Sequence, residues 1–168
     1  MGGINCGIVL GTSLGNGQIL SPNVYCLGAA STLQGELILD AQCDPDAVFI
    51  IKINGAFASG TSAKITLLNS ASACNIYWQI NGAVTLGTNS FFSGTVLANG
   101  AITMLEGATS EGRLLARGGA IALHNNNLDI TTLPTTSHII ANGPTTFCSG
   151  GNVVLSGNCG GIWSNGST

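Results

Sequence analysis

Gly11-Thr-Ser13-Leu-Gly15 has the G-x-S-x-G spacing of a nucleophile elbow, where a serine is held exposed on a sharp strand-to-helix turn. The residues that follow, Gly15-Asn-Gly-Gln-Ile-Leu-Ser-Pro, do not form that helix, so the segment reads as a Gly-rich turn. Asp40, Asp44 and Asp46 form the densest acidic cluster. Calcium needs about six to eight oxygens, and neither an EF-hand loop nor a Gly/Asp nonapeptide repeat is present, so turn chemistry around Pro45 accounts for these aspartates. Glu106 and Glu111 could pose as an acid–base pair, but both fall at a turn and read as solvated carboxylates. Arg113 and Arg117 stand at the two ends of one strand, where they could cap an edge or pair with Glu111. None of the six cysteines forms a CxxC pair, and His124 and His138 lie far from any cysteine cluster, which argues against zinc. The expected catalytic set, metal set and cofactor set are therefore all empty.

Composition narrows the function further. Only 7% of the 168 residues are charged, against about 25% in an ordinary soluble domain. Four basic residues and a net charge of −3 exclude a nucleic-acid surface, which needs clustered Lys and Arg, and also a polybasic membrane patch. No apolar run approaches the ~18 residues of a transmembrane helix. An apolar content of 45% is too high for disorder. The surface must then be built from Gly, Ser, Thr, Asn and Ala. The start, Met1-Gly-Gly-Ile-Asn5, has neither a basic segment nor a signal-peptide core and reads as the start of a gene fragment. Six cysteines in a short chain lean toward an oxidising compartment.

The elements that carry these residues repeat. Phe49–Ser59, Tyr77–Leu86, Val96–Met104 and Leu114–Leu123 each read as an apolar strand, a small turn and a second strand. Their turn glycines are Gly55, Gly82, Gly100 and Gly118, and the last three are 18 residues apart. The first interval is 27, which implies an insertion within Asn69 to Cys74. A period of 18 suits one coil of a parallel β-solenoid with three short faces, stable only when coils stack. In the second strand of each coil, Val84, Leu86, Ile102, Met104, Ile121 and Leu123 alternate inward; Thr85, Thr103 and Ala122 then point outward. Trp78 and Tyr77 read as core and rim, and Asn125-Asn-Asn127 as a turn or an asparagine ladder. No sustained helical period occurs, so residues 1–130 read as all-β. Composition shifts near Asp129: 131–142 read as a linker containing Pro134, and 143–168 start a new alternating pattern too short for an independent sandwich. Proximity favours Cys6–Cys26 and Cys148–Cys159 bridges, leaving Cys43 and Cys74 to pair or stay reduced.

Several blocks resemble the microbial ice-binding family whose fold is a discontinuous right-handed β-solenoid. They are Leu20-Ser-Pro-Asn-Val-Tyr-Cys, Asp44-Pro-Asp-Ala-Val-Phe-Ile-Ile-Lys-Ile, Ala73-Cys-Asn-Ile-Tyr-Trp-Gln-Ile, Thr85-Leu-Gly-Thr-Asn and Gly112-Arg-Leu-Leu-Ala-Arg-Gly-Gly-Ala. They occur in the family's order from about Cys6 to Ile130. Two departures stand out: the family's N-terminal coils and long α-helix are lacking, and Cys43 replaces a small residue. The tail from Gly143, with Trp163-Ser-Asn-Gly, resembles the opening of an immunoglobulin-like repeat of secreted Bacteroidetes proteins, implying further domains of a longer secreted parent chain.

The resemblance implies a non-enzymatic protein, secreted or at the cell surface, whose partner is an ice crystal. It implies adsorption through a flat solenoid face and inhibition of ice growth and recrystallisation. Two outward columns are candidates for that face. One is Ala58, Thr85, Thr103 and Ala122, favoured as uniformly small and uncharged. The other is Thr61, Thr88 and Thr109 with Ser90 beside them, made less regular by Glu106 at the place equivalent to Thr88. The alternative role is a cell-surface adhesin or scaffold module. A solenoid polysaccharide lyase or hydrolase would need a charged groove that this chain does not supply.

Overall fold

The computed structural model describes residues 4–130, together with the backbone of two short segments, Ile140–Ala141 and Leu155–Ser156. Its contacts divide the chain into two units, Met1–Leu133 and Pro134–Thr168. In the second unit Ile140–Ala141 pairs antiparallel with Leu155–Ser156. The rest of the expected linker and immunoglobulin-like tail, with Cys148 and Cys159, lies outside the described residues.

The first unit is a stack of six three-sided coils. They comprise β1 (Ile8–Leu10), β2 (Ser13–Gly15) and β3 (Gln18–Leu20); β4 (Val24–Leu27), β5 (Ser31–Gln34) and β6 (Glu36–Asp40); then β7 (Phe49–Ile53), β8 (Phe57–Ser59) and β9 (Lys64–Leu68). Next come β10 (Ile76–Ile80), β11 (Val84–Leu86) and the long β12 (Phe91–Ala98), then β13 (Ile102–Met104), the long β14 (Thr109–Ala116), β15 (Ile121–Leu123) and β16 (Asn127–Asp129). Every ladder in the unit is parallel. The first face runs β1-β4-β7-β10 and continues into the later halves of β12 and β14. The second is the separate sheet β2-β5-β8-β11-β13-β15. The third runs β3-β6-β9 and continues into the earlier halves of β12 and β14, then β16. The all-β parallel solenoid expected from the repeat is the observed fold; among the described residues the helical content is one 3-10 turn, Ala73–Asn75.

The corner between the third and first faces shows how the sequence sets coil length. In β12 and β14 one strand runs through it, because Gly94 (φ 115°) and Gly112 (φ 128°) take a backbone conformation that side chains disfavour. A Cβ on Gly112 would sit 2.3 Å from the Gly94 carbonyl oxygen. Earlier coils turn the same corner with extra residues: Ala41 to Val48 after β6, and Asn69 to Asn75 after β9, where the long first interval places its insertion. The Cys43 N–H donates to the Asn69 carbonyl at 3.0 Å, tying the two loops together.

Alternation fills the core. Phe49, Phe57, Trp78 and Phe92 are buried, and the last three cluster with ring centroids 5.0–5.9 Å apart. Trp78 Nε1 donates to the Ser93 carbonyl at 3.0 Å, so its polar atom is satisfied inside. Burial of each such side chain contributes about 1.5–3 kcal/mol. Tyr77 faces out at the rim. Val84, Ile102 and Ile121 stack in register, as do Leu86, Met104 and Leu123. Ile121 and Leu123 remain 43% and 52% exposed, since they belong to the last coil described.

One detail of the repeat needs correcting. Ile102 pairs with Ile121, so the glycine equivalent to Gly100 is Gly119. Gly118 is an added residue in the last turn. Gly55, Gly82, Gly100 and Gly119 each abut the preceding coil: a Cβ there would lie 2.4, 2.6, 2.7 and 2.5 Å from the backbone nitrogens of Ala30, Ala56, Ala83 and Ala101. Cys6 and Cys26 form the expected disulfide, with Cα atoms 5.9 Å apart.

Candidate functional site

Ala58, Thr85, Thr103 and Ala122 are consecutive Cα partners on the second face, so the first candidate column exists as a column. It is longer than the repeat suggests. Ser13 pairs with Thr32, and Thr32 with Ala58, giving six rungs: Ser13, Thr32, Ala58, Thr85, Thr103 and Ala122. From Thr32 to Ala122 each lies inside a three- or four-residue strand between two inward side chains, Ser13 opens its strand ahead of buried Leu14, and all six are exposed or half-buried.

The same register places Gly11, Ala30, Ala56, Ala83, Ala101 and Ala120 one outward position earlier, as a second column beside the first. These too are exposed, apart from half-buried Ala101. Ala56, Ala83, Ala101 and Ala120 accept through their carbonyls from Ser31, Phe57, Val84 and Ile102 at 2.8–3.0 Å. The second face therefore presents two adjacent columns of Gly, Ala, Ser and Thr. Successive rungs of such a ladder are about 4.7–4.9 Å apart.

The other candidate column does not form. The Ser62 N–H donates to the Thr88 carbonyl, and the Asn89 N–H to the Glu106 carbonyl. Thr61 and Thr88 are thus followed by Glu106 at the corner that leaves the second face. Thr109 belongs to β14 on the third face, paired with Phe91 and Asn127. Ser90 is 2% exposed and points inside. The coil from Thr88 is 18 residues long, which brings Glu106 opposite it and carries Thr109 past the corner.

Charge avoids the second face. Glu36, Lys64, Glu111 and Asp129 lie on the third face, with Lys64 Nζ 2.9 Å from Glu36 Oε1. Lys52 and Arg113 are on the first, and Asp40, Asp44, Asp46, Glu106 and Arg117 at strand ends or corners. None of these stands in either outward column of the second face.

The remaining motifs resolve as structure. Ser13, the supposed elbow nucleophile, is an outward rung facing Thr32, followed by a turn and a strand rather than a helix. Asp40 Oδ1 accepts from the Gln42 N–H and from Asn69 Nδ2, both at 2.8 Å, and these bonds hold its carboxyl below the usual range. Asp44 Oδ1 caps the Asp46 N–H at 3.0 Å. No three His, Cys, Asp or Glu side chains among the described residues are grouped to hold a metal ion. Glu106 Oε1 accepts from Asn125 Nδ2 at 2.9 Å, and Asn126 Nδ2 donates to the carbonyls of Leu105 and Ala108, so this asparagine run closes the last turn. His124 Nδ1 donates to the Met104 carbonyl at 2.9 Å.

Residues 6–129 match the protein family described as Ice-binding-like. The chain is 44% identical over 115 residues to Ice-binding protein 1 of Shewanella frigidimarina, covering 67% of this chain and 13% of that protein. It is 35% identical over 119 residues to an ice-binding protein of Nostoc, covering 70% of this chain and 44% of that one. The solved structure of an ice-binding protein from an Antarctic Flavobacteriaceae bacterium aligns with a TM-score of 0.74 at 37% identity, over 77% of this chain and 31% of that one. The chain spans less than half the length of each of these three proteins.

Proposed function

The chain belongs to the Ice-binding-like family, and from that premise we propose that it adsorbs to ice through the second face of its solenoid, restraining ice growth and recrystallisation without catalysis. The supporting observation is the pair of outward columns, six rungs of Gly, Ala, Ser and Thr with no charged side chain, on a molecule whose charges occupy its other faces and corners. A threonine rung offers a hydroxyl that holds water and a methyl that limits the orientations of that water. The alanine column beside it excludes groups that would hold water differently. Each contact is weak. Many act together because the array is already ordered by folding and loses little further entropy on binding. Protein adsorbed at intervals pins the ice front, and the curved ice between pinned points grows less readily. The Cys6–Cys26 bridge supports an extracellular setting. Growth of a single ice crystal in fluorescently labelled protein tests the reading, with a recrystallisation assay alongside. Label should enter the ice and grains should stay small. Exclusion of label, with grains coarsening as in buffer, would overturn it.

A further inference from the structure

The corner that enters the second face repeats one tripeptide three times: Asn54-Gly55-Ala56, Asn81-Gly82-Ala83 and Asn99-Gly100-Ala101. The three asparagines form a chain of amides. Asn81 Nδ2 donates to Asn54 Oδ1 at 3.0 Å, and Asn99 Nδ2 donates to Asn81 Oδ1 at 3.2 Å. The glycine after each leaves room for the backbone of the preceding coil, and the alanine after that is a rung of the outward alanine column. The chain stops at the next coil, where Arg117 stands opposite Asn99 and the extra Gly118 follows. Asn99 Oδ1 is buried there and has no hydrogen-bond partner among the described residues.

We propose that Asn54, Asn81 and Asn99 are the positioning residues of the ice face, holding Ala56, Ala83 and Ala101, and with them Ala58, Thr85 and Thr103, at even spacing in one plane. The inference rests on the second face being the ice surface. Parallel strands twist relative to one another by roughly 20–25°, and sheets that stay flat across many strands rely on stacking or side-chain ladders. The strands of this face are three or four residues long, so their own backbone bonds resist twist over a short span only. A crystal plane accepts a flat array. An amide ladder two residues from the alanine column ties the entry points of three successive coils and opposes the twist where the surface needs it least. The three asparagines touch no ice themselves in this account; they act through the rungs.

The test compares Asn81→Ala with Asn75→Ala in the full chain, measuring thermal hysteresis and melting temperature. Asn75 Nδ2 donates to the Pro45 carbonyl at 3.1 Å across the two insertion loops, so its loss removes one amide hydrogen bond away from the second face. Asn75→Ala and Asn54→Ala each remove one amide bond and should lose similar thermal stability, Asn81→Ala removes two and should lose more, and only the ladder variants should lose hysteresis, Asn81→Ala most of it. Asn54→Ala, which removes the end rung alone, should show the same separation in weaker form and serves if Asn81→Ala fails to fold. Full hysteresis in the folded ladder variants, or equal losses in the ladder variants and Asn75→Ala, overturns the proposal. Thr103→Lys in the same series separates the two readings. If it abolishes hysteresis while Asn81→Ala does not, the ladder role fails and the face stands; if folded Thr103→Lys is fully active, the face itself is wrong.

Discussion

Thr103→Lys places a charge on the fifth of the six rungs of the proposed ice surface. Thr103 is half-buried, pairs with Thr85 on one side and Ala122 on the other, and points away from the core. Its replacement fills no cavity and empties none, so the stability change should stay within roughly ±0.5 to 1 kcal/mol. The effect on the surface is larger. With rungs about 4.7–4.9 Å apart and a screening length of about 8–10 Å in salt, the ammonium disturbs water across nearly two rungs on each side. On the six-rung column this leaves Ser13 and Thr32 beyond the disturbance and affects Ala58, Thr85 and Ala122 along with the substituted rung. Thermal hysteresis should therefore fall by more than half while circular dichroism and melting temperature hardly move. Thr103→Tyr should do the same through bulk alone. Thr109→Lys is the control: it lies on the third face between Phe91 and Asn127 and should leave hysteresis intact. If folded Thr103 variants keep full activity while Thr109→Lys loses it, the reasoning from the second face is refuted; if every variant stays active, neither candidate column meets ice.

Two further outcomes concern stability. The Cys6–Cys26 bridge closes a loop with a sequence separation of 20, and the double serine variant should lose about 3 kcal/mol in denaturant unfolding; a change below about 1 kcal/mol would contradict the chain-entropy argument. Thr66 and Lys64 hold the Glu36 carboxyl below its usual range, and the Gln42 N–H and Asn69 do the same for Asp40. A lowered folded value means the stabilisation is complete above the ordinary carboxylate range and is lost as pH falls through the lowered values. Melting temperature should hold from neutrality to mild acid and decline below, and Glu36→Gln with Asp40→Asn should shallow that decline; an unchanged acid profile in the double variant would count against it.

Much of the coil architecture was legible because the solenoid writes its constraint at short range. A Cβ at Gly55, Gly82, Gly100 or Gly119 would collide with the backbone of the coil before it, so glycine recurs at that corner in the four later coils. Inward Val84, Ile102 and Ile121 follow from period-two alternation. The slip at Gly118 shows the limit of counting. A single added residue in an exposed turn leaves the spacing of glycines at 18 while shifting the strand register to 19, and only the hydrogen-bonded pairing of Ile102 with Ile121 reveals it.

The site was half legible for a related reason. Ser13 and Thr32 are rungs of the same column, yet their coils lack the Asn-Gly-Ala turn that marks the next three, and Gly11-Thr-Ser13-Leu-Gly15 instead suggests an enzyme motif. The alanine column was invisible to a search for threonines, because alanine on a surface carries no chemical signal until five of them are seen in register. Thr61, Thr88 and Thr109 misled in the opposite sense: residue type matched and position did not, since a glycine with positive φ carries β12 and β14 straight through the corner between the third and first faces and shortens the coil. A residue's type limits what it can do in water. The register across coils decides which residues act together, and that register is set by the length of the turns and insertions between strands rather than by the type of any one outward side chain on the proposed ice face.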